Sequence, residues 1–288
     1  MKKRLLILVS AAVLLLSGCS HKITSAVIAG QTYSNLQKTQ SAEMDLDLKL
    51  GADVDTSALS QSLLGISLPM GEHATGTIAL TMSCETTSEP SAMHGTGGLN
   101  LGIPLLGDIP MEVYTVREGG DSVMYTNIMG MYGRKVLPAP GEGAEEKDSW
   151  YKSLFGAWKA VSDDTLSMEE ETVDRDGKEC YLLHARFPSS LLYEFLTSSA
   201  DLSMLQKEEA GVDFGDQKTP VDIYVDKESL LPYVLAVSDT DFVNTITSQT
   251  KLNGVTLNAM DLTVTFRSFN SVEAITVPQE MTEAAAGR

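Results

Sequence analysis

The chain has 288 residues, 39 of them acidic and 21 basic, and a formal net charge of −18 at pH 7. A surface of that sign repels polyanions, and no basic stripe or Arg-rich run interrupts it, which excludes nucleic acid as a partner. The length suffices for one large domain or two small ones, and no low-complexity linker is long enough to separate two.

The chain opens as a leader. Lys2, Lys3 and Arg4 precede the apolar run Leu5 to Leu16, which ends in Ser17, Gly18 and Cys19. A basic start, a short apolar stretch and small residues before a cut mark a secretory signal. The run is too short to cross a bilayer, which takes about 20 apolar residues. Leu16-Ser17-Gly18-Cys19 resembles the lipobox of bacterial lipoproteins. That resemblance implies a diacylglycerol on the Cys19 thiol, removal of residues 1–18, and palmitate or another acyl chain on the new amino terminus. The expected product is a single extracytoplasmic domain, 19–288, held at the cell membrane by its lipid. The leader carries three of the 21 basic residues and none of the 39 acidic ones, so the remainder bears −21. Such a body stays off anionic headgroups and leaves the acyl chains as the attachment.

Residues 22–40 read as a helix, with Ile23, Val27, Ile28 and Leu36 near one face. The period then changes. Met44, Leu46, Leu48 and Leu50 alternate with Asp45, Asp47 and Lys49, the pattern of a half-buried strand. Further strands are expected at 77–82, 111–115, 122–127, 167–173, 178–187, 220–226, 232–238 and 257–269. Glu118-Gly119-Gly120-Asp121 and Asp174-Arg175-Asp176-Gly177 are the hairpin turns between their neighbours. Strands this closely spaced argue a large antiparallel sheet, not βαβ units. The fold class is therefore α+β and mainly antiparallel β, with the sheet over 41–280.

Two helical insertions are expected, near 149–161 and 188–206. Trp150, Leu154, Trp158 and Val161 form the stripe of the first, and Leu191, Leu192, Phe195, Leu196 and Leu202 that of the second. Each stripe must lie on something apolar. Both ordinary coverage of the sheet and closure of a cavity satisfy that need. Two apolar stretches broken by Gly and Pro, Leu63 to Met70 and Leu99 to Met111, favour a hydrophobic mouth. Leu63, Leu64, Ile66, Leu105, Leu106, Trp158, Leu192 and Phe195 are the candidates to line or gate it.

Chemistry is sparse. His21, His73, His94 and His184 show no metal-ligand spacing, and no metal or cofactor is expected. Ser149-Trp150-Tyr151-Lys152 matches S-x-x-K, but Pro220 follows Lys218-Thr219 where a K-T-G strand would donate a ladder hydrogen bond, so no catalytic residue is assigned. Asp174 to Gly177 lacks the closing acidic ligand of a calcium loop. Glu169, Glu170 and Glu171 read as a solvated edge strand. Cys84 and Cys180 fit either a disulfide or two isolated buried thiols.

The order of leader, helix, meandering strands, mid-chain helices and a late strand running into Ile275-Thr276-Val277-Pro278 resembles the lipid-carrier superfamily that includes LolA, LolB and the mycobacterial LppX and LprG lipoproteins. Trp150-Tyr151-Lys152 is similar to a segment common in those sequences. The resemblance implies a curved, half-open, barrel-like sheet covered by a few amphipathic helices, and a non-enzymatic role in binding a hydrophobic or amphiphilic molecule. A structural lipoprotein that binds a protein or cell-wall partner through its acidic surface is the alternative; no protein partner is named by the sequence.

Overall fold

A computed structural model describes residues 23–55, 73–102, 107–137, 165–199, 212–249 and 255–286. Two meanders share one sheet. The first contains β1 (Ser41–Asp55), β2 (His73–Ser88), β3 (Ser91–Asn100), β4 (Asp108–Glu118), β5 (Asp121–Ile128) and β6 (Met131–Leu137). The second contains β7 (Leu166–Met168), β8 (Val173–Arg175), β9 (Lys178–Pro188), β10 (Lys218–Asp226), β11 (Pro232–Ser238) and β12 (Val255–Phe269). The order β6-β5-β4-β3-β2-β1-β12-β11-β10-β9-β7, with β8 also on β9, makes a 12-stranded sheet that is not closed on itself. All pairings are antiparallel, and the 15-residue strands β1 and β12 join the two meanders at the centre. Four helices complete the described residues: α1 (Ser25–Gln37), α2 (Ser189–Ser199), α3 (Thr240–Gln249) and α4 (Gln279–Ala286).

The alternation read in β1 is the alternation observed: Met44, Leu46 and Leu48 are buried, while Asp45, Asp47 and Lys49 face outward. A period of two sends successive side chains to opposite faces, so every strand contributes to one apolar face. Helices α1, α2 and α3 lie on that face through Ile28, Leu36, Leu192, Leu196, Phe242 and Val243. The other face is largely polar, but over β4 and β5 Tyr114, Val123 and Tyr125 meet Met281 of α4 and the segment Ile275 to Val277, and Cys180 of β9 and Val234 of β11 are also buried on it. The chain end thus crosses to the side opposite the other helices.

Both expected hairpin turns form. Glu118 pairs with Asp121 and Arg175 with Lys178. Asp176 and Gly177 have φ of 53° and 81°, the left-handed pair that a type I′ turn requires, and the Asp174 carboxylate accepts from the Gly177 N–H at 3.1 Å. A third such turn, Met129-Gly130, has φ of 54° and 80°.

Several expectations are corrected. The strand expected over 167–173 breaks into β7 and β8, and Glu169, Glu170 and Glu171 are exposed in the bend between them. Alternation explains this, because three consecutive glutamates in a strand would put one carboxylate on the apolar face. Leu99 and Met111 belong to β3 and β4 and not to one long loop; His73 begins β2. The late strand ends at Phe269 as expected, and Asn270 (φ 60°) turns the chain there, its side chain accepting from the Gln40 N–H at 2.7 Å. The helical insertion at 149–161 lies outside the described residues.

Candidate functional site

The apolar face is continuous across the whole sheet. One register line runs Met168, Leu183, Ile223, Leu235, Val264, Leu46, Met82, Gly97, Met111, Ile128 and Met131, each residue paired with the next. Ten of these eleven positions carry a large apolar side chain. Burial along the line is uneven. Leu183, Ile223, Leu235 and Val264 are at most 1% exposed beneath the helices, whereas Met111 and Ile128 are half-buried and Met131 is 57% exposed. Leu50, Ile78, Leu99 and Leu101 are likewise only partly buried, at the end of the sheet where β1 leads into β2 and β3 into β4. The apolar face therefore outruns its described cover on the β2–β6 side.

The cover has its own anchors. Asp239 caps α3, its carboxylate accepting from the N–H groups of Asp241 at 2.9 Å and Phe242 at 3.3 Å. Phe242 is fully buried and stacks on Phe214 with ring centroids 5.2 Å apart, and Phe214 meets Tyr193 of α2 at 5.5 Å. These rings tie α2 and α3 together over the sheet. Two fully buried hydroxyls, Ser189 and Thr219, hydrogen-bond at 2.8 Å where α2 leaves β9. Gln217 accepts from Thr245 at 2.7 Å, which fixes α3 against the start of β10.

Of the candidate lining residues, Leu192 is 1% exposed in the core beneath α2, and Phe195 lies in α2 with its side chain outside the described residues. Cys19, Leu63, Leu64, Ile66, Leu105, Leu106 and Trp158 also lie outside them. By chain order Leu63, Leu64 and Ile66 fall between β1 and β2, and Leu105 and Leu106 between β3 and β4. Sequence reasoning missed the α3 cover, although Asp239 followed by Phe242, Val243 and Ile246 is a cap and a helical stripe.

Cys84 and Cys180 are free buried thiols, not a disulfide. Cys84 shares the apolar face with Leu80 and Met82, whereas Cys180 alternates with Leu183 and Ala185 and so faces the other way. Four strands separate β2 from β9, and a disulfide needs Cα atoms within about 7 Å. Burial pushes both thiols up to about 11, with Asp45 adding to the effect at Cys84 and Asp226 at Cys180. In the soluble form starting at Ser20, neither thiol should react with a disulfide reagent at pH 7.5 until denaturant is added. Stoichiometric labelling of the native protein would contradict this.

On the outward face His184 bridges two elements. Its Nδ1 lies 2.7 Å from Asp222 of β10, and its Nε2 lies 3.0 Å from Glu169 beyond β7. The hydrogen bond with Asp222 and then that with Glu169 raise its pKa above the ordinary histidine value. A raised folded pKa means stability that is present below the unfolded value of about 6.5 and lost as pH rises through the folded one. Thermal melts of the protein should fall in Tm as pH rises through that window, and His184→Gln should flatten the slope. An unchanged slope in the variant would remove His184 as its cause.

Solved structures similar to this chain include the Mycobacterium tuberculosis lipoprotein LppX, with a TM-score of 0.44 and 11% identity over 88% of this chain and 100% of that one. LprF from Mycobacterium bovis follows at TM-score 0.42 and 10% identity, over 87% of this chain and 95% of that one. A DUF1329 family protein from Desulfovibrio piger has a TM-score of 0.24 and 9% identity over 86% and 92%. No family model and no curated protein matches the chain. The fold class itself rests on the geometry above: an open, mainly antiparallel sheet with helices laid on its apolar face.

Proposed function

We propose that this protein is a membrane-anchored extracytoplasmic lipoprotein that holds a hydrophobic or amphiphilic molecule against its apolar face without catalysis. The observation that carries this reading is the register line of apolar side chains that stays partly exposed from Met111 to Met131 while its other half is sealed. A sheet built only to be covered would bury both halves alike, because each exposed apolar side chain forgoes about 1.5–3 kcal/mol of burial. An acyl chain supplies the missing contact, and a few polar groups at the rim suffice to orient it. Leu63, Leu64, Ile66, Leu105, Leu106, Trp158, Leu192 and Phe195 are the proposed lining, and Cys19 is the proposed lipidation site. Among the described residues no helix is long and apolar enough to cross a membrane.

The test is native mass spectrometry of the soluble form starting at Ser20, followed by solvent extraction. A stoichiometric co-purifying lipid is expected. Ile78→Asp should remove it with little change in Tm, because Ile78 is only partly buried; Leu192→Asp is less informative, since that site is core. An empty protein that also fails to take up fluorescent fatty acids or phospholipids would overturn the reading. The anchor is tested separately. Cys19→Ser in the full chain should leave the leader uncleaved and block incorporation of labelled palmitate.

A further inference from the structure

The face of the sheet opposite the apolar one holds a polar groove of about 620 Å³. Its floor is set by two register lines. Thr265, Asp45, Ser83 and Thr96 form one across β12, β1, β2 and β3. Thr263, Asp47 and Thr81 form the other, and the position after Thr81 is Gly98, which leaves β3 bare there. These residues alternate with the buried Val264, Leu46 and Met82, so the same strands that make the apolar face also make this one. Arg175, on β8, closes one side. Its guanidinium stands 5.1 Å from the Tyr224 ring centroid, and Tyr224 leads through Val234 to Thr265 in register.

We propose that this groove binds a neutral polyhydroxylated chain, that is, a carbohydrate. The chemistry of the lining narrows the occupant step by step. Asp45 is paired with Arg267 at 3.5 Å, Asp47 with Lys49 at 3.0 Å and Arg175 with Asp176 at 3.6 Å, so the charges around the groove balance and favour neither an anion nor a cation. Among the described residues no group of three or more His, Cys, Asp and Glu is arranged to hold a metal ion. The side chains flanking the carboxylates across the strands carry hydroxyls, which favour a polar ligand over an apolar one.

What remains is a ligand that both donates and accepts. The hydroxyls of Thr81, Thr96, Thr263 and Thr265 make no hydrogen bond among the described residues, and each can do either. Asp45 accepts from Ser83 at 2.8 Å and Asp47 from Lys49 at 3.0 Å, which orients both carboxylates and leaves acceptor capacity on each. Neighbouring strands place these groups about 4.8 Å apart, a repeated array suited to successive sugar rings and not to one small polyol.

The experiment is saturation-transfer NMR on the form starting at Ser20, with glucose, maltotriose, cellotriose and triacetylchitotriose each at about 10 mM, enough to populate a site of millimolar Kd. Transfer to at least one trisaccharide is expected, with affinity at least tenfold above that for glucose. The double variant Thr81→Val and Thr263→Val keeps shape and β-propensity and should lower that affinity by about tenfold, the worth of one or two hydrogen bonds. Ile78→Asp, on the opposite face, should leave it unchanged, so the outcome is independent of the lipid reading. No transfer to any trisaccharide, equal affinity for glucose, or binding unaffected by the threonine pair would each overturn the proposal.

Discussion

Gly97→Ala is expected to cost at least about 3 kcal/mol, at the upper end of overpacking effects, and to lower Tm by about 10 °C. Gly97 occupies the one position on the long apolar register line that has no side chain. A Cβ built there overlaps the Thr81 carbonyl oxygen and sits 2.8 Å from the Met82 Cα. Both obstacles are backbone in the neighbouring strand, so no rotamer change relieves them; β2 and β3 would have to separate. Gly95, two residues earlier, is different in kind. Its added Cβ would meet the Met82 methyl at 2.6 Å and the Cys84 Sγ at 3.4 Å, the first of which is the free end of a flexible chain. Gly95→Ala should therefore cost less than Gly97→Ala. Gly30→Ala in α1 is the opposite case. It is exposed, its Cβ would meet nothing within 4 Å, and the change should stabilise the helix by about 0.5–1 kcal/mol. Denaturant melts of the three variants check the ranking, and equal midpoints for Gly97→Ala and Gly95→Ala would refute it.

The same glycines explain what the sequence hid. β1, β4, β5, β9, β10, β11 and β12 are legible because their apolar and polar residues alternate. β3 reads Ser-Ala-Met-His-Gly-Thr-Gly-Gly-Leu-Asn, and three glycines in ten residues erase the alternation and imitate a loop. The strand exists because its partners on both sides impose it. β6 was obscured in another way, since its entry turn uses Met129 at positive φ where a turn signal is normally Asn, Asp or Gly. α4 is short and rich in alanine and glutamate, and only its contact through Met281 with the far face gives it a place. The candidate mouth residues Leu63, Leu64, Ile66, Leu105 and Leu106 rest on apolar composition alone and lie outside the described residues. The polar groove was not legible at all: Asp45, Asp47, Thr81, Ser83, Thr263 and Thr265 are ordinary outward strand residues until the register sets them side by side.

Phe242→Ala should destabilise the protein by about 3–5 kcal/mol, the usual range for a fully buried phenylalanine. Phe242 is the largest of the groups that hold α3 to the sheet, beside Val243, Ile246 and the hydrogen bonds of Thr245 to Gln217 and of Thr247 to the Leu257 carbonyl. Of its ten residues only Phe242 and Val243 are buried. Phe242 is also the ring through which α3 reaches Phe214 and, beyond it, Tyr193 of α2. Removing it leaves a cavity beside the Phe214 ring and loosens the helix that covers the sealed half of the apolar face. The loss should be local before it is global. Amide exchange should accelerate first in α3 and around Phe214, while the β1–β12 ladder stays protected until the main transition. Phe242→Leu should recover part of the stability, since volume is kept but the stack is not. The variant also bears on the proposed role. If α3 covers a bound molecule, Phe242→Ala should speed release of a fluorescent fatty acid at temperatures where the sheet is still folded. An unchanged release rate alongside accelerated exchange in α3 would mean that this helix covers core and not ligand, and would move the entrance to the partly exposed side between Met111 and Met131.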